Sequence, residues 1–443
     1  MKKSKNSRKS AVSLFSNCGA GDVGYKLAGF DFKIMAELDP RRLEVCGRNH
    51  RNARLISGDL RRTSRQVVDL YANEFGDNLD LLSACPPCQG FSSARGKRGK
   101  ADNPDHGMLD KRNLLSLIIA NVAKRLHPKL IVVENVPAYL ARLVRDPRTD
   151  KPITMAQLLI SRLESSYEVF PLLINLSEYG VPQTRKRVFY TFVRKDLNIL
   201  RKLKAKQLIP FPSPTHLPGG KLGPLTLGRA FAILNPPVLD AKSPETASSE
   251  FGNGLHSVPV WDTERYEMVA AIPANSGKSA WDNSECLLCG EKNINKARVT
   301  CPSCENPLPR PIVKARNGRH RLIKGFKTSS YRRMDPNLPA ATITTASGHI
   351  GSHFTIHPSE NRVLSPLECA YLQTFPPEFS WGDAFKKWGH TNIRQMIGEA
   401  VPPRFTKLHG DVLFNLLNGV LSRDLLPEDD AKPVKQRTNW TRD

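Results

Sequence analysis

The stretch "AVSLFSNCGAGDVGYKLAGFDFKIMAE", residues 11–37, carries the pattern that decides the fold. Its two ends, "AVSLF" and "KIMAE", are short apolar runs of the kind that form buried strands. Between them, Gly19, Gly21 and Gly24 predict a turn at the start of a helix, where backbone N–H groups can approach a ligand. Strand, glycine turn, helix and strand together form the repeating unit of a parallel sheet.

Five further apolar runs continue this alternation through the first half of the chain. Amphipathic helices are predicted between several of them, one from Asn113 to about Leu126 and another from Thr154, with Gln157 completing a capping box. The alternation predicts an α/β fold with a doubly wound, mainly parallel sheet that binds ligands at the strand carboxyl ends. The further predicted strands are 53–56, 79–84, 129–135, 169–175 and 188–193.

The charge balance favours a polyanionic partner. Lys and Arg number 66 against 42 Asp and Glu, which gives a formal net charge of +24 and a pI of about 9.8. Nucleic acid is the leading candidate, and solvated basic faces on a soluble protein are the alternative. No apolar run approaches the ~20 residues of a membrane span, and no signal-peptide pattern follows the basic N-terminus. We therefore expect no membrane partner, a cytoplasmic location, and nine cysteines that serve as thiols or metal ligands.

Chemically useful side chains follow the predicted strands. Glu37 ends the second strand and Asp59 follows the third, so with the glycine turn they favour a nucleoside-containing cofactor over a turn without a ligand. Cys88 and Glu134 follow the fourth and fifth strands, whose ends converge on one cleft in a doubly wound sheet. This convergence argues against a buried structural cysteine and a helix-capping acid, the two alternative interpretations.

Two Cys-x2-Cys pairs lie in the middle of the chain. Cys286 and Cys289 are followed, after eleven residues, by Cys301 and Cys304. In a reducing compartment this spacing is typical of a tetrahedral zinc site that folds a stretch lacking its own apolar core. Because four thiols complete the ligand set and no His or carboxylate is placed as in an open catalytic site, the pattern predicts a structural rather than a catalytic metal.

A series of short motifs runs along the chain in a fixed order. They are "PPCQGFS" at 86–92, "DKRNLL" at 110–115, "ENV" at 134–136, "YGVPQTRKRVFY" at 179–190, "RRMDPNLPAATITT" at 332–345, "RVLSPLECAYLQTFPPEF" at 362–379 and "IGEAVPP" at 397–403. In type and order they resemble the motifs of the DNA (cytosine-5)-methyltransferases of bacterial restriction-modification systems. The resemblance spans about residues 11–410 and implies the S-adenosylmethionine-dependent methyltransferase fold.

The resemblance implies a catalytic role for each of four residues. Cys88 would be the thiolate that adds to C6 of cytosine, so that C5 becomes a carbon nucleophile. Glu134 would hold N3 and the exocyclic amine while charge develops on the ring. Arg187 would bind O2, and Arg185 would support the Cys88 loop or the base. Phosphate contact or surface charge is the alternative for both arginines.

The resemblance also implies S-adenosyl-L-methionine as the methyl donor. Phe15 would pack on the adenine, Glu37 would bind the ribose hydroxyls, and Asp59 with Leu60 would contact the adenine edge. Three features depart from the family pattern: the "SNC" spacing after Phe15, Leu38 in place of an aromatic residue, and Glu399 in place of an asparagine. The full set of implied cofactor contacts is Phe15, Gly19, Ala20, Gly21, Glu37, Asp59, Leu60, Pro86 and Glu399.

The domain organisation follows from composition and from this resemblance. The chain becomes rich in Pro, Gly and Lys near residue 196, where we place a boundary. The family places its variable recognition segment, here the one with the zinc knuckles 286–304, after the Arg motif. The predicted parts are a catalytic and cofactor-binding domain over 1–195, a smaller target-recognition domain over 196–330, an orienting motif and junction over 331–389, a return to the catalytic domain over 390–426, and a polar tail over 427–443.

Duplex DNA is the partner that the resemblance implies, with the target cytosine flipped out of the helix. The loop after Cys88 is rich in Gly, Lys and Arg and suits closure over phosphates, and a basic surface loop is the alternative. We expect a bacterial monomer whose cognate restriction endonuclease is a functional partner rather than a bound subunit. A transfer RNA methyltransferase of the same chemistry is the main alternative function. An inert DNA-binding relative or a cysteine hydrolase fits less well, since Cys88 and Glu134 are both present and no histidine follows a neighbouring strand.

Overall fold

The computed structural model describes residues 8–87 and 111–431. Cys88 and the predicted basic loop lie outside the described residues, as do residues 432–443 of the predicted tail. The strands are β1 (Lys9–Leu14), β2 (Phe30–Glu37), β3 (Arg54–Ser57), β4 (Leu81–Ala84), β5 (Leu130–Asn135), β6 (Leu143–Arg145), β7 (Pro152–Thr154), β8 (Tyr167–Asn175), β9 (Lys186–Arg194), β10 (Leu208–Pro212), β11 (Ile312–Lys314), β12 (His320–Leu322) and β13 (Leu425–Pro427).

Seven of these strands form one sheet in the order β3-β2-β1-β4-β5-β9-β8. The first five pair in parallel, and β9 runs antiparallel to both of its neighbours. All seven strands predicted in the first half of the chain are in this sheet, so the mainly parallel α/β fold is confirmed. The strand order reverses between β1 and β4, and doubly wound sheets bind their ligands beside such a reversal.

Helices cover both faces of the sheet and build the rest of the described chain. The predicted helix from Asn113 begins as a 3-10 turn and becomes regular at Ser116. The capping box predicted at Thr154 is present, with the Gln157 backbone N–H donating to Thr154 Oγ1 at 3.2 Å. The helices are α1 (Ala20–Leu27), α2 (Pro40–Asn49), α3 (Leu60–Phe75), α4 (Ser116–Leu126), α5 (Met155–Leu163), α6 (Asn198–Ala205), α7 (Leu227–Leu234), α8 (Thr263–Ala270), α9 (Pro366–Leu372), α10 (Ala384–Glu399) and α11 (Pro403–Leu417).

Apolar side chains from these helices bury the sheet on both sides. Val67 of α3, Ile119 of α4 and Leu158 of α5 are fully buried in one core. The second core contains Leu203 of α6 and Phe405 of α11, together with side chains of α1 and α2. Complete burial of one such side chain contributes about 1.5–3 kcal/mol, so the two cores hold the sheet rigidly beneath its ligand-binding edge.

The second core extends beyond the predicted domain boundaries. Helix α6 and strand β10 pack in it, although both follow residue 196. Strand β10 pairs antiparallel with β13, and the Glu428 N–H donates to Gln207 O at 2.8 Å. The second core therefore continues to β10, beyond the predicted boundary at 196, and ordered structure continues past residue 427. The prolines of "LIPFP" obscured β10, since they are tolerated only in an edge strand such as this one.

The remaining described residues form smaller cores. Side chains of α7, α9 and α10 pack together with Ala20 and Val23 of α1. A separate cluster joins α8 to the region around Tyr331 and Ile356, and β11 and β12 form an antiparallel hairpin. In the part of the chain that the structure describes, no helix is both long and apolar enough to cross a membrane.

Gly24 supports packing between helices rather than the ligand contact predicted for it. A Cβ atom at this position would lie 2.0 Å from Thr406 Oγ1 and 2.3 Å from the Pro403 carbonyl oxygen. Helix α11 therefore rests directly on the backbone of α1. The prediction for Gly24 is wrong because the close approach comes from a segment some 380 residues later in the chain.

Candidate active site and four-cysteine cluster

A cavity of about 1440 Å³ opens at the carboxyl ends of β1, β2, β4 and β5. It lies at the reversal of strand order, and it exceeds the roughly 300–1,000 Å³ of most small-molecule sites. It can therefore hold a nucleoside cofactor together with a second ring. The predicted site residues in its wall are Phe15, Ala20, Gly21, Glu37, Asp59, Leu60, Pro86, Glu134, Arg185, Arg187 and Glu399.

Glu134 is the central acidic group of this cavity. It lies near the end of β5 with 6 % of its surface exposed, and Arg187 Nε is 2.9 Å from its Oε1. The Cys85 thiol donates to Glu134 Oε2 at 2.9 Å. The carboxylate predicted for this strand end lies in the cavity wall, and its predicted partner Cys88 is outside the described residues. The sequence analysis missed Cys85, although its place at the end of the strand that leads to Cys88 was a usable signal.

Arg185 is fully buried in the cavity wall and holds two distant segments together. Its guanidinium donates to the carbonyl oxygens of Ile343 at 3.0 Å, Gly398 at 2.9 Å and Ala400 at 3.0 Å. Gln183, two residues earlier, accepts from the Ile343 N–H at 2.8 Å. The "QTRKR" motif thus fastens strand β9 to the later part of the chain. The support of the Cys88 loop that we predicted for Arg185 involves residues outside the described ranges.

Glu37 holds the turn that follows β1, where the first cofactor contacts are predicted. Its Oε2 accepts the Asn17 N–H at 2.8 Å, and its Oε1 accepts the N–H groups of Leu38 and Asp39 at 2.9 and 3.1 Å. Phe15 and Asn17 both adopt positive φ, 58° and 50°, so the chain turns sharply above the sheet. A carboxylate oxygen has further lone pairs, so Glu37 can still accept hydroxyl hydrogen bonds.

Among the described residues, Gly19 is the predicted cofactor contact that does not line the cavity. It caps α1 with φ 75°, and its carbonyl accepts from His50 Nε2 at 2.9 Å. Burial lowers the pKa of His50 to about 4, so the ring is neutral at physiological pH. A Cβ at Gly19 would lie 2.8 Å from His50 Cδ2, which means that the glycine serves the left-handed turn and the packing of His50. The cofactor contact of Gly19 stays a prediction.

Two ion pairs border the cofactor side of the cavity. Asp59 caps α3 and pairs with Arg61, whose hydrogen bonds lower the pKa of the Asp59 carboxyl. Glu399, at the end of α10, pairs with Arg42 of α2. The sequence analysis missed Arg42 because its partner lies 357 residues away. Leu38 projects beside this rim and is 65 % exposed, so an apolar ring could rest against it.

The four predicted cysteine ligands come together in one cluster. Their sulfur atoms all lie within 4.8 Å of one another, with Cys286 and Cys304 3.6 Å apart and Cys289 and Cys301 3.5 Å apart. A tetrahedron of sulfurs about 2.3 Å from a zinc ion has edges of about 3.8 Å, close to these separations. Few apolar side chains surround the cluster, as predicted, and buried Ile294 and Leu308 complete its small core.

The two halves of the cluster share one backbone pattern. The N–H of Cys286 donates to the carbonyl five residues later, at Glu291, and the N–H of Cys301 donates in the same way to Asn306, both at 2.8 Å. Each Cys carbonyl also accepts the N–H four residues on, from Gly290 and Glu305. Two equivalent turns that aim four thiols at one point form a preorganised metal-ligand set.

The chain is thus an α/β protein with a doubly wound sheet, and a large cavity with a carboxylate–arginine pair in its wall lies at the reversal of strand order. Residues 10–414 match the family described as C-5 cytosine-specific DNA methylase. The chain therefore belongs to this family of methyltransferases, and the predicted membership is confirmed.

Individual relatives agree with this assignment. The chain is 27% identical over 404 residues to the type II methyltransferase M1.HgaI of Avibacterium volantium, covering 88% of this chain and 94% of that protein. It is 26% identical over 396 residues to the type II methyltransferase M.DdeI of Desulfomicrobium norvegicum, covering 88% and 85%. A prophage-encoded E. coli protein described as a DNA modification methyltransferase has a similar fold, with a TM-score of 0.54, 20% identity and coverage of 93% and 99%.

Proposed function

We propose that this protein methylates C5 of a cytosine flipped out of a specific duplex DNA sequence. The observation that carries the proposal is Glu134, held between Arg187 and Cys85 in the wall of a cavity that is large enough for a cofactor and a base. The type II methyltransferases among the relatives support DNA as the substrate. They also support a bacterial cytoplasmic enzyme that protects DNA from a cognate restriction endonuclease, and we expect it to act as a monomer.

The proposed reaction proceeds through a covalent adduct. The Cys88 thiolate adds to cytosine C6, and the electron pair of the C5–C6 double bond moves to C5, which then attacks the methyl carbon. As the thiolate adds, N3 takes up a proton from water, and Glu134 accepts hydrogen bonds from this N3–H and from the exocyclic amine. Arg187 donates to O2, so the N3 proton and the guanidinium together offset the negative charge that the thiolate brings to the ring. Water then takes the C5 proton, the electron pair of the C5–H bond re-forms the C5–C6 double bond, the C6–S bond breaks to release the Cys88 thiolate, and N3 returns its proton to water. S-adenosylmethionine, when bound, supplies the methyl group.

The residues of the cavity wall fit S-adenosylmethionine. Glu37 retains acceptor capacity for ribose hydroxyls at the end of β2, as described above. Phe15, Leu38 and Leu60 supply apolar surface for an adenine ring, and the Asp59 carboxylate lies beside them. Pro86 lines the side of the cavity next to Glu134, where the methyl group has to reach the base.

We further propose that Cys286, Cys289, Cys301 and Cys304 bind a structural zinc ion. The sulfur separations and the repeated backbone turns support this proposal. Arg310 links the cluster to its surroundings through Asn283 O at 2.6 Å and Ile294 O at 2.9 Å. A bound metal would therefore stiffen a segment that has little apolar core of its own.

The segment that follows the cluster suits a nucleic-acid backbone. Between Asn306 and Met334 the sequence contains no Asp or Glu. The β11–β12 hairpin and its flanks expose cations that can neutralise phosphates and release counterions. The exposed cations of this stretch include Lys314, Arg316, Arg319, Arg321 and Lys324.

Methylation assays on different nucleic acids test the proposed function. Purified protein with radiolabelled S-adenosylmethionine should label duplex DNA, and bisulfite sequencing should place the methyl group on C5 at one short sequence. Cys88→Ser should abolish the labelling, because serine is not a thiolate nucleophile. Labelling of transfer RNA in preference to DNA would favour the alternative substrate. A methyl group on an exocyclic nitrogen would contradict the chemistry.

A further inference from the structure

One buried carboxylate in the cavity wall takes no part in the proposed reaction. Asp22 lies in the first turn of α1, immediately after the turn that lines the cavity, and only 5 % of its surface is exposed. Ser13 of β1 donates its hydroxyl to Asp22 Oδ2 at 2.7 Å, and the Ser83 hydroxyl of β4 also hydrogen-bonds to it. Asp22 therefore lies between the two strands where the sheet reverses.

Within the described ranges, Asp22 is one of the wall carboxylates without a cationic partner, and unlike Glu37 and Asp335 it accepts no backbone N–H in place of one. Among the described residues, no Lys or Arg nitrogen lies within 4 Å of its carboxylate, and Glu37 is satisfied instead by three backbone N–H groups. Four other wall carboxylates each pair with an arginine. These pairs are Asp39–Arg41, Asp59–Arg61, Glu134–Arg187 and Glu399–Arg42.

Burial without a cation is costly for a carboxylate, because two hydroxyl hydrogen bonds replace only part of its lost hydration. Burial raises the pKa of Asp22 to about 7, although the hydrogen bonds from Ser13 and Ser83 oppose the shift. The nearest titratable neighbours are Tyr25 of α1 and Cys46 of α2, whose pKa values are raised by burial and then by the Asp22 charge. Both are therefore neutral, and a cation arriving from the cavity would be the first counter-charge at this position.

We infer that Asp22 is the counter-ion for the α-ammonium group at the amino-acid end of the methyl donor. This inference rests on the proposed function. The donor carries that ammonium group, whereas Arg42, Arg61 and Arg187 of the wall already have acidic partners. Asp22 and Glu37 both line this one cavity, so a single donor molecule can present its ammonium group to Asp22 and its ribose to Glu37. Asp22 is thus a binding residue, and it discriminates ligands by whether they carry this charge.

Ligands with and without the charged amino-acid end provide the test. Isothermal titration calorimetry of wild-type and Asp22→Asn protein would use S-adenosylhomocysteine, S-adenosylmethionine and methylthioadenosine, which lacks the amino-acid end. Asparagine keeps the size and can still bind the serine hydroxyls, so the fold should be preserved. We expect the Kd of the first two ligands to rise about tenfold or more, which is typical for loss of a buried charge-assisted hydrogen bond, and that of methylthioadenosine to stay unchanged.

The pH dependence provides a second readout. In wild-type protein, binding of S-adenosylhomocysteine should weaken more steeply below pH 7 than in Asp22→Asn, because the ligand must displace a proton from Asp22. The ligand's own titration is common to both proteins and cancels in the comparison. Asp31→Asn, on β2 and paired with Lys33 away from the cavity, is the matched control and should bind like wild type.

The possible results distinguish the assignment of Asp22 from the proposed function of the protein. Equal weakening of all three ligands, or of S-adenosylmethionine alone, would overturn the ammonium assignment in favour of a general structural effect or a contact with the sulfonium. Unchanged binding in Asp22→Asn would overturn it as well, while leaving the proposed function intact. Failure of wild-type protein to bind any of these nucleosides would overturn both.

Discussion

The Arg187 guanidinium meets the Glu134 carboxylate across two antiparallel strands, with Nε 2.9 Å from Oε1. Neither side chain is more than 13 % exposed, so the pair is largely removed from water. The register of β5 and β9 brings them together, since Asn135 pairs with Val188, the neighbour of Arg187. A rigid sheet therefore presents one acceptor and one donor group to whatever ring enters the cavity.

Replacing Glu134 by glutamine should separate chemistry from cofactor binding. A neutral amide cannot offset charge on the base, and loss of one such electrostatic group typically lowers a rate by about 100-fold or more. We expect that loss in single-turnover methylation, with the Kd for S-adenosylhomocysteine within about twofold, a change of under half a kcal/mol. Glu44→Gln, on the surface of α2 and paired with Arg48, is the matched control. A wild-type rate in Glu134→Gln would contradict the proposed role.

Removal of the metal should weaken DNA binding and spare the cofactor cavity. Cys301→Ser should lower the zinc content from one ion per chain and reduce duplex affinity, because the cluster has few apolar contacts to hold it. Binding of S-adenosylhomocysteine should persist, since the cavity is built on other cores. Ser303→Ala is the matched control: Ser303 lies between Cys301 and Cys304, and this variant should retain zinc. Metal content by mass spectrometry and binding by fluorescence anisotropy would check this, and a zinc-free wild-type protein with full DNA affinity would contradict it.

Acid should destabilise the protein through its buried histidines. Burial lowers the pKa of His50 and His390 to about 4 and of His357 and His409 to about 3. His409, for example, faces Tyr25, Thr191 and the carbonyl of Pro210, which accepts a hydrogen bond from the Nε2–H of a neutral ring. Below pH 6.5 the unfolded chain therefore binds protons that the folded chain does not, and stability falls as pH decreases toward 4.

The net sign follows from the number of groups. Each histidine contributes a slope of up to about 1.4 kcal/mol per pH unit in this window. Asp22 has the opposite effect on stability. Its pKa is raised, so the folded protein binds this proton at a higher pH than the unfolded chain does. This single group is outweighed by the four histidines. We expect the free energy of unfolding in urea to decrease steadily from pH 6.5 to pH 5. In His390→Gln the free energy of unfolding should depend less steeply on pH, by up to about 1.4 kcal/mol per pH unit, because one of the four histidines is absent. A free energy of unfolding that does not change with pH would contradict this prediction.

The contact between the first and last helices should be intolerant of a single methyl group. Gly24→Ala places a Cβ within 2.0 Å of Thr406 Oγ1, and overpacking against backbone should cost about 2 kcal/mol or more. Gly223→Ala is the matched control, because nothing lies within 4 Å of its Cβ, and should change stability by less than about 0.5 kcal/mol. Urea unfolding of both variants would measure the difference. Equal stabilities would mean that the helices can separate.

The sequence alone predicted the sheet well and the long-range contacts poorly. Apolar runs bounded by glycine and polar residues mark β1 to β5, because buried parallel strands are short and continuously apolar. Strand ends likewise indicated Glu37, Asp59 and Glu134, since topology places such ends together. The pairing of Arg42 with Glu399 and the contact of Gly24 with Thr406 depend on segments hundreds of residues apart. No local pattern signals such contacts, and for the same reason the boundary at 196 was placed too early.

The seating of α11 on α1 has a consequence for biosynthesis. Thr406 donates its hydroxyl to Gly21 O at 2.6 Å, a contact between residues 385 positions apart. At about 5–20 residues per second, a ribosome needs roughly half a minute to make the chain between them. During that time the turn that lines the cavity lacks its supporting helix, so a nascent chain cannot complete the cavity wall before the proposed recognition segment has been translated. Under the proposed function, the protein therefore becomes able to methylate DNA only after the segment that would select the target has been made.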